Sequence, residues 1–198
     1  MKWYIKPVVR LIATVSISPL IISYKIISQI GDQNEIFATY SQFLSLLPGK
    51  VGSYIRVGFY RYVMTKCDPD CLISFATIFS QVDTEIESGT YIGPQCNVGM
   101  CKIEKNCLIG SGVHILSGKN QHIYKELSRP IREQGGRFDK IIVGEDTWVG
   151  NGAIIMANIG KKCVVAAGSV VVSEVKSFTV VGGNPAIVIK NRKDNLHE

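Results

Sequence analysis

The sequence predicts an all-β solenoid with an N-terminal helical extension and one long inserted loop. Three observations carry that prediction. Aliphatic residues recur about every six positions from Ile86 onward, glycine directly follows half of them, and the period lapses between Leu116 and Lys140 before resuming. A spacing of six matches neither the 3.6-residue turn of a helix nor the plain alternation of a long strand. It matches a chain that turns a corner every few residues and sends one large and one small side chain inward from each short face.

The 198 residues suffice for one main domain and an extension. A helical segment is placed at residues 1–66. The solenoid follows at 67–185, with the loop 116–140 inserted, and a basic tail at 186–198 ends the chain. With 46% apolar and 19% charged residues, the composition is that of a folded chain rather than a disordered one. The net charge of +6 is spread over the N-terminal segment, the loop and the tail, with no aromatic platform among the cations. That distribution argues against nucleic acid and for anionic lipid or the phosphates of a cofactor. The six cysteines form no CxxC pair and no zinc spacing, so a reducing compartment and no metal are expected.

From the N-terminus, residues 11–24 are uncharged and mostly apolar, with Lys2, Lys6 and Arg10 before them and Lys25 after. This is shorter than the roughly 20 residues of a spanning helix, unless Lys25 snorkels and the segment runs to Ile30. No small-x-small cleavage site follows, as a signal peptide would require. The expectation is a segment that lies in a membrane interface or re-enters at Pro19. The alternative is a helix buried against a partner subunit.

Two more helices are expected. Ile36, Phe37, Tyr40, Phe43, Leu44 and Leu47 recur at helical spacing until Pro48-Gly49 stops them. Val51, Tyr54, Ile55, Phe59, Tyr62 and Val63 form one face of the next, with Lys50, Arg56, Arg61 and Lys66 elsewhere. Such a basic amphipathic helix suits a membrane surface and equally suits the capping of a solenoid's open end.

In the repeat, the large inward residues are Ile86, Ile92, Val98, Ile103, Ile109, Ile115, Val143, Val149, Ile155, Ile159, Val165 and Val171. Four positions later come Thr90, Cys96, Cys107, Val113, Thr147, Ala153, Cys163 and Ser169 as the small ones. Cys96, Cys107 and Cys163 are thereby read as compact core residues. Ile73, Thr77 and Phe79 form a degraded first turn. A solenoid able to continue, yet ejecting a polar loop at 116–140, does so for binding. That loop holds His122.

The unit [LIV]-G-x-x-[small]-x, the run GEDTWVGNGAIIMANIGKKCVVAAGSVV and the closing VVGGNPAIVIK resemble the hexapeptide acyltransferases, in particular the galactoside, maltose and serine acetyltransferases. The lead-in LLPGKVGSYIRVGFYRYVMTKC is similar to a branch that decorates capsule, colanic-acid-like polymers and lipopolysaccharide. Over residues 46–190, the resemblance implies a left-handed parallel β-helix working as a homotrimer. It implies transfer of an acetyl group from acetyl-CoA to a hydroxyl of a sugar or polysaccharide precursor. A coenzyme A enzyme belongs in the cytoplasm, here at the inner face of the membrane if residues 1–30 associate with it.

The resemblance also implies roles. His122 matches the general base, which takes the acceptor's hydroxyl proton and suits that task by a pKa near neutrality. His114 is its rival, expected to face outward, and His197 is a bystander in the tail. No serine–histidine–acid set is evident, so transfer is direct. Asn151 and Ala167 match backbone contacts to the pantetheine arm, and Lys190 matches a basic residue near the nucleotide phosphates. Where the family often has a second cation, this chain has Ile187, so Arg192 or Lys193 takes that place. Trp148 flanks the thiol channel or is an interface residue. Asn97 is an acceptor contact, and Arg132 with Arg129 grips an anionic sugar or is solvated. Serine, amino-sugar and xenobiotic acetyltransferases remain as alternatives, as does a non-catalytic binding solenoid. A γ-type carbonic anhydrase needs three histidines around a metal, and the solenoid holds two.

Overall fold

The computed structural model describes residues 5–195, so Lys2 and His197 lie outside the described residues. Three helices come first: α1 (Ile5–Ile27), α2 (Gln33–Ser45) and α3 (Gly49–Val63). The Asp32 carboxylate caps α2 by accepting from the Asn34 and Glu35 amides at 2.8 and 3.0 Å, and Pro48 stands at the N-cap of α3. Both helices fall where the apolar spacing places them.

Helix α1 does not break at Pro19, contrary to the expected re-entry there. Proline removes the donor that would reach the Val15 carbonyl. The Ser18 hydroxyl donates to that carbonyl instead, at 2.8 Å, so the helix continues. One face of α1, with Ala13, Ile17, Ile21 and Tyr24, is buried. Tyr24 meets Phe59 of α3 edge-on at 5.9 Å between centroids. The backbones come close at Gly58, where an added methyl would lie 3.4 Å from Thr14 Oγ1. The other face, with Val8, Leu11, Ile12, Val15, Ile22 and Ile26, is exposed.

Helices α2 and α3 cover the open end of the solenoid, so α3 is its cap. Arg56 departs from the amphipathic reading, because it is fully buried. Its guanidinium donates to the Leu44 and Leu47 carbonyls at the end of α2, at 3.1 and 2.6 Å, and to Ile73 O at 3.0 and 3.1 Å. One cation thus satisfies orphan carbonyls at a helix end and ties both helices to the first coil. Burial lowers its pKa, partly countered by Tyr60.

The solenoid winds through about six turns with three walls. The first wall comprises β1 (Lys66–Cys67), β4 (Glu85–Ile86), β7 (Cys101–Ile103) and β10 (Ile141–Val143). The second comprises β2 (Leu72–Ile73), β5 (Tyr91–Ile92), β8 (Leu108–Ile109), β11 (Trp148–Val149), β13 (Val164–Val165), β15 (Thr179–Gly183) and β16 (Ala186–Asn191). The third comprises β3 (Ile78–Phe79), β6 (Asn97–Val98), β9 (His114–Ile115), β12 (Ile154–Ile155) and β14 (Val170–Val171). All pair in parallel except β16, which folds back antiparallel on β15. Part of the basic tail is therefore a sheet edge. The architecture is the expected β-helix with its helical extension.

Every large and small inward residue named from the repeat is buried, as are Ile73, Thr77 and Phe79 of the first turn. The repeat's glycine serves close stacking: a Cβ at Gly93 would lie 2.7 Å from the Gly110 carbonyl carbon one coil on. At the corners that follow the first and second walls a left-handed residue comes three positions after the inward aliphatic one, as at Gln95 (φ 61°) and Asn106 (φ 59°).

Candidate active site

The inserted loop is an ordered two-legged arm. Asp139 N–H donates to Ser117 O at 2.9 Å, Arg137 N–H to Asn120 O at 2.8 Å and Ile123 N–H to Gly135 O at 2.9 Å. Gly136 is required at this crossing, because a Cβ there would run into the Gln121 carbonyl. At the tip the Gln134 amide donates to Glu126 O and Arg129 O at 2.7 and 2.9 Å and accepts from Glu126 N–H at 3.1 Å. Where the arm returns, Lys140 reaches Asp83 and Glu85, each at 2.6 Å. Its hydrogen bond holds the Asp83 carboxyl below the usual carboxylate range.

His122 stands exposed on the outgoing leg. It lines a cavity of about 770 Å³ between the arm and Met156 and Val172 of the solenoid. Lys119, Lys125 and Arg137 line the same cavity. These three cations escaped the sequence reading, which drew its cations from the tip. Arg129, by contrast, is occupied with Glu133 O at 2.6 Å. Arg132 projects into solvent, 3.8 Å from Glu133, and does not line the His122 cavity.

His114 lies on strand β9 and faces outward, rather than sitting at a corner. It pairs with Asn97 on one side and Ile154 on the other. Asn97 and His114 are therefore neighbours on the third wall, and neither lines the His122 cavity.

Asn151 and Ala167 occupy the corner between the second and third walls on successive coils, joined by Gly168 N–H donating to Asn151 O at 2.8 Å. Both are exposed. The Asn151 side chain is engaged structurally, its Oδ1 accepting from Ser111 N–H at 3.0 Å. Among the described residues, neither the Asn151 nor the Ala167 backbone N–H donates to a partner. The corner therefore offers two parallel donors to a ligand, as unpaired amides seek acceptors.

Trp148 projects from the second wall, between Leu108 and Val164, and is 55% exposed. Lys190 pairs with Val180 in β15, toward the wall's far edge from the Ala167 corner. Arg192 donates to Lys162 O at 2.8 Å, and the Lys193 ammonium sits 4.2 Å above the Phe178 ring. The residues of this strand nearest the Ala167 corner are Ala186 and Ile187, which pair with Gly183 and Gly182. Within one chain, then, the structure groups Asn151 with Ala167 and Asn97 with His114. His122 shares its cavity with none of them, nor with Trp148, Lys190 or Arg192.

The cysteine thiols are core groups. Burial pushes Cys101 and Cys107 up to about 12 and raises Cys96 and Cys163, so they stay protonated and unreactive at neutral pH. Among the described residues no cluster of three or more His, Cys, Asp or Glu is placed to hold a metal.

Comparison with known proteins agrees with this geometry. Residues 140–173 match a family model, the hexapeptide repeat of succinyl-transferase. A protein of Lysinibacillus sphaericus named a probable macrolide acetyltransferase is 30% identical over 118 residues, 52% of this chain and 63% of that one. The galactoside O-acetyltransferase of Lactococcus lactis is 30% identical over 90 residues, 42% of this chain and 44% of that one. The chain spans about half the length of the curated relatives it matches. A hexapeptide-repeat acetyltransferase of Vibrio cholerae, solved in complex with acetyl coenzyme A, shares the fold with a TM-score of 0.62 at 21% identity, covering 83% of this chain and 92% of that one. Repeat, coil geometry and these likenesses converge: the chain is a hexapeptide-repeat β-helix, similar in sequence to known acetyltransferases.

Proposed function

We propose that the protein is an O-acetyltransferase that moves an acetyl group from acetyl-CoA to a hydroxyl of a carbohydrate acceptor. The observation that carries this reading is the placement of His122 on a built arm over a cation-lined cavity, while unpaired amides line a separate corner of the same prism. The imidazole takes the acceptor's proton as the hydroxyl oxygen attacks the thioester carbonyl. The tetrahedral adduct collapses with cleavage of the C–S bond, and the proton passes from the imidazolium to the departing thiolate. The thioester is already activated, so positioning, a base and donors for the oxyanion suffice. The Asn151 and Ala167 amides bind the pantetheine arm. Lys190 and Arg192 serve the phosphates, Trp148 flanks the thiol, and Asn97 with Arg132 contacts the acceptor.

Because the base and the corner do not meet in one chain, the site forms between copies of a homotrimer. The apolar row Leu72, Tyr91, Leu108 and Trp148 on the second wall, exposed in a single prism, supports shared walls. The outer face of α1 supports association with the cytoplasmic surface of a membrane. A helix of 23 residues has the length to span, but its other face is committed to α3, which favours lying on the surface.

The test is turnover of labelled acetyl-CoA, read as free thiol, against lipid-linked sugars, oligosaccharides, serine and small xenobiotics. Thiol release with a sugar hydroxyl bears out the reading. Release with serine or an amine alone reassigns the acceptor.

A further inference from the structure

A second cleft, of about 630 Å³, opens between α1, α3 and the first two coils. It belongs to the helical end of the molecule, whereas the His122 cavity is lined by residues of later coils. At about 4.8 Å per coil, the two are separated by some 15 Å along the axis. Its volume falls in the range of roughly 300–1,000 Å³ typical of ligand sites.

The lining combines two characters. Val51, Tyr54 and Val57 supply an apolar surface, while Lys6, Arg10 and Lys50 bring three positive charges against the single carboxylate of Asp70. Asp70 engages Arg10 at 2.6 Å and Lys6 at 4.0 Å. Lys50 has no ion pair among the described residues, and Arg10 Nε is buried without a hydrogen-bond partner. The cleft therefore carries excess positive charge and a spare donor beside apolar walls. From the turns of α1 that hold Lys6 and Arg10, the exposed row Val8, Leu11, Ile12 and Val15 runs onward.

We propose that this cleft binds a phosphate-bearing lipid, its headgroup held by Lys6, Arg10 and Lys50 and its chain running out along the exposed row of α1. A phosphate monoester offers several acceptor oxygens and up to two negative charges, matching three convergent cations better than a carboxylate does. This deepens the reading of α1 as a membrane-surface helix and rests on it for the source of the lipid. The bound lipid fixes the helical end at the membrane and leaves the His122 end facing the cytoplasm.

The experiment is calorimetric titration of the full chain with dodecyl phosphate below its micelle concentration, beside inorganic phosphate, dodecanoate and dodecyl maltoside. Saturable binding of dodecyl phosphate is expected, at least tenfold tighter than the other three. Lys6→Ala and Lys50→Ala, at exposed positions that leave the melting temperature unchanged, each weaken it about fivefold. No saturable binding, equal affinity for any of the three controls, or unchanged affinity in the variant that combines Lys6→Ala with Lys50→Ala overturns the proposal. Sedimentation with phosphatidylglycerol vesicles tests the α1 reading separately. Leu11→Ser with Val15→Ser abolishes vesicle binding and brings dodecyl phosphate down toward the affinity of inorganic phosphate; dodecyl phosphate affinity unchanged in that variant overturns the path of the chain along α1.

Discussion

His122 sits on an exposed leg of a hydrogen-bonded arm, and its ring makes no hydrogen bond among the described residues. Removing it costs the solenoid no packing. His122→Ala therefore lowers thiol release by about a hundred- to ten-thousandfold with an unchanged unfolding curve, whereas His114→Ala, on the open third wall, retains most of it. Equal turnover in wild type and His122→Ala refutes the assignment. The buried thiols make a second prediction. Cys101 and Cys107 hold their protons to about 12 when folded, while an unfolded thiol ionises near 8.5–9. Their contribution is present below the unfolded value and is lost as pH rises through the folded one. Denaturant midpoints should fall between about pH 9 and 12, and less steeply in Cys101→Ala. At this scale the sequence was legible wherever a residue type had a single use. Cys96, Cys107 and Cys163 at the small inward slot read correctly. Arg56 did not, because spacing assigns any charge on an amphipathic helix to the outside, and only the third dimension brings Leu44, Leu47 and Ile73 carbonyls to its guanidinium.

Each secondary element shows how far periodicity reaches. The short strands and helices α2 and α3 follow from it, since a chain with a fixed spacing of apolar residues has one way to bury them. The passage of α1 through Pro19 does not, because it depends on a serine hydroxyl replacing one amide. The corners were half legible. Glycine after the aliphatic residue is visible in the sequence, but its cause is the spacing between coils, and the left-handed positions are often not glycine at all, as Ala76, Lys162 and Phe178 show. The arm was visible as an interruption, while its supports at Gln134, Gly136 and Lys140 were not, because each joins residues that no local rule connects. Arg56 is the element-scale test. Arg56→Ala takes the guanidinium from the Leu44, Leu47 and Ile73 carbonyls and loosens α2 and α3 from the first coil, at a cost of about 1–3 kcal/mol for each buried carbonyl left unsatisfied. Urea unfolding should show the lower midpoint, and hydrogen exchange should place the early opening in the helices. Uniform exchange across cap and solenoid contradicts that role.

For the molecule as a whole, the prism has a core running along its axis and a helical cap at one end. Within a single chain, His122 and the Asn151–Ala167 corner meet in no shared cavity. The family resemblance supplied His122, Asn151 and Ala167 as separate positions, and a one-chain sequence has no means of expressing a distance between copies. The apolar row on the second wall offers the surface for that meeting. If the proposed trimer forms through this wall, Trp148→Glu, which puts a charge at the end of the row, shifts the native mass toward that of a monomer. The most direct test mixes two inactive variants, His122→Ala and Ala167→Trp, by co-expression under different tags. If each site takes its base and its cofactor corner from different copies, mixed trimers hold sites with both intact, and turnover recovers to about a quarter of wild type by random assembly. Mixed trimers no more active than either parent contradict a site shared between subunits.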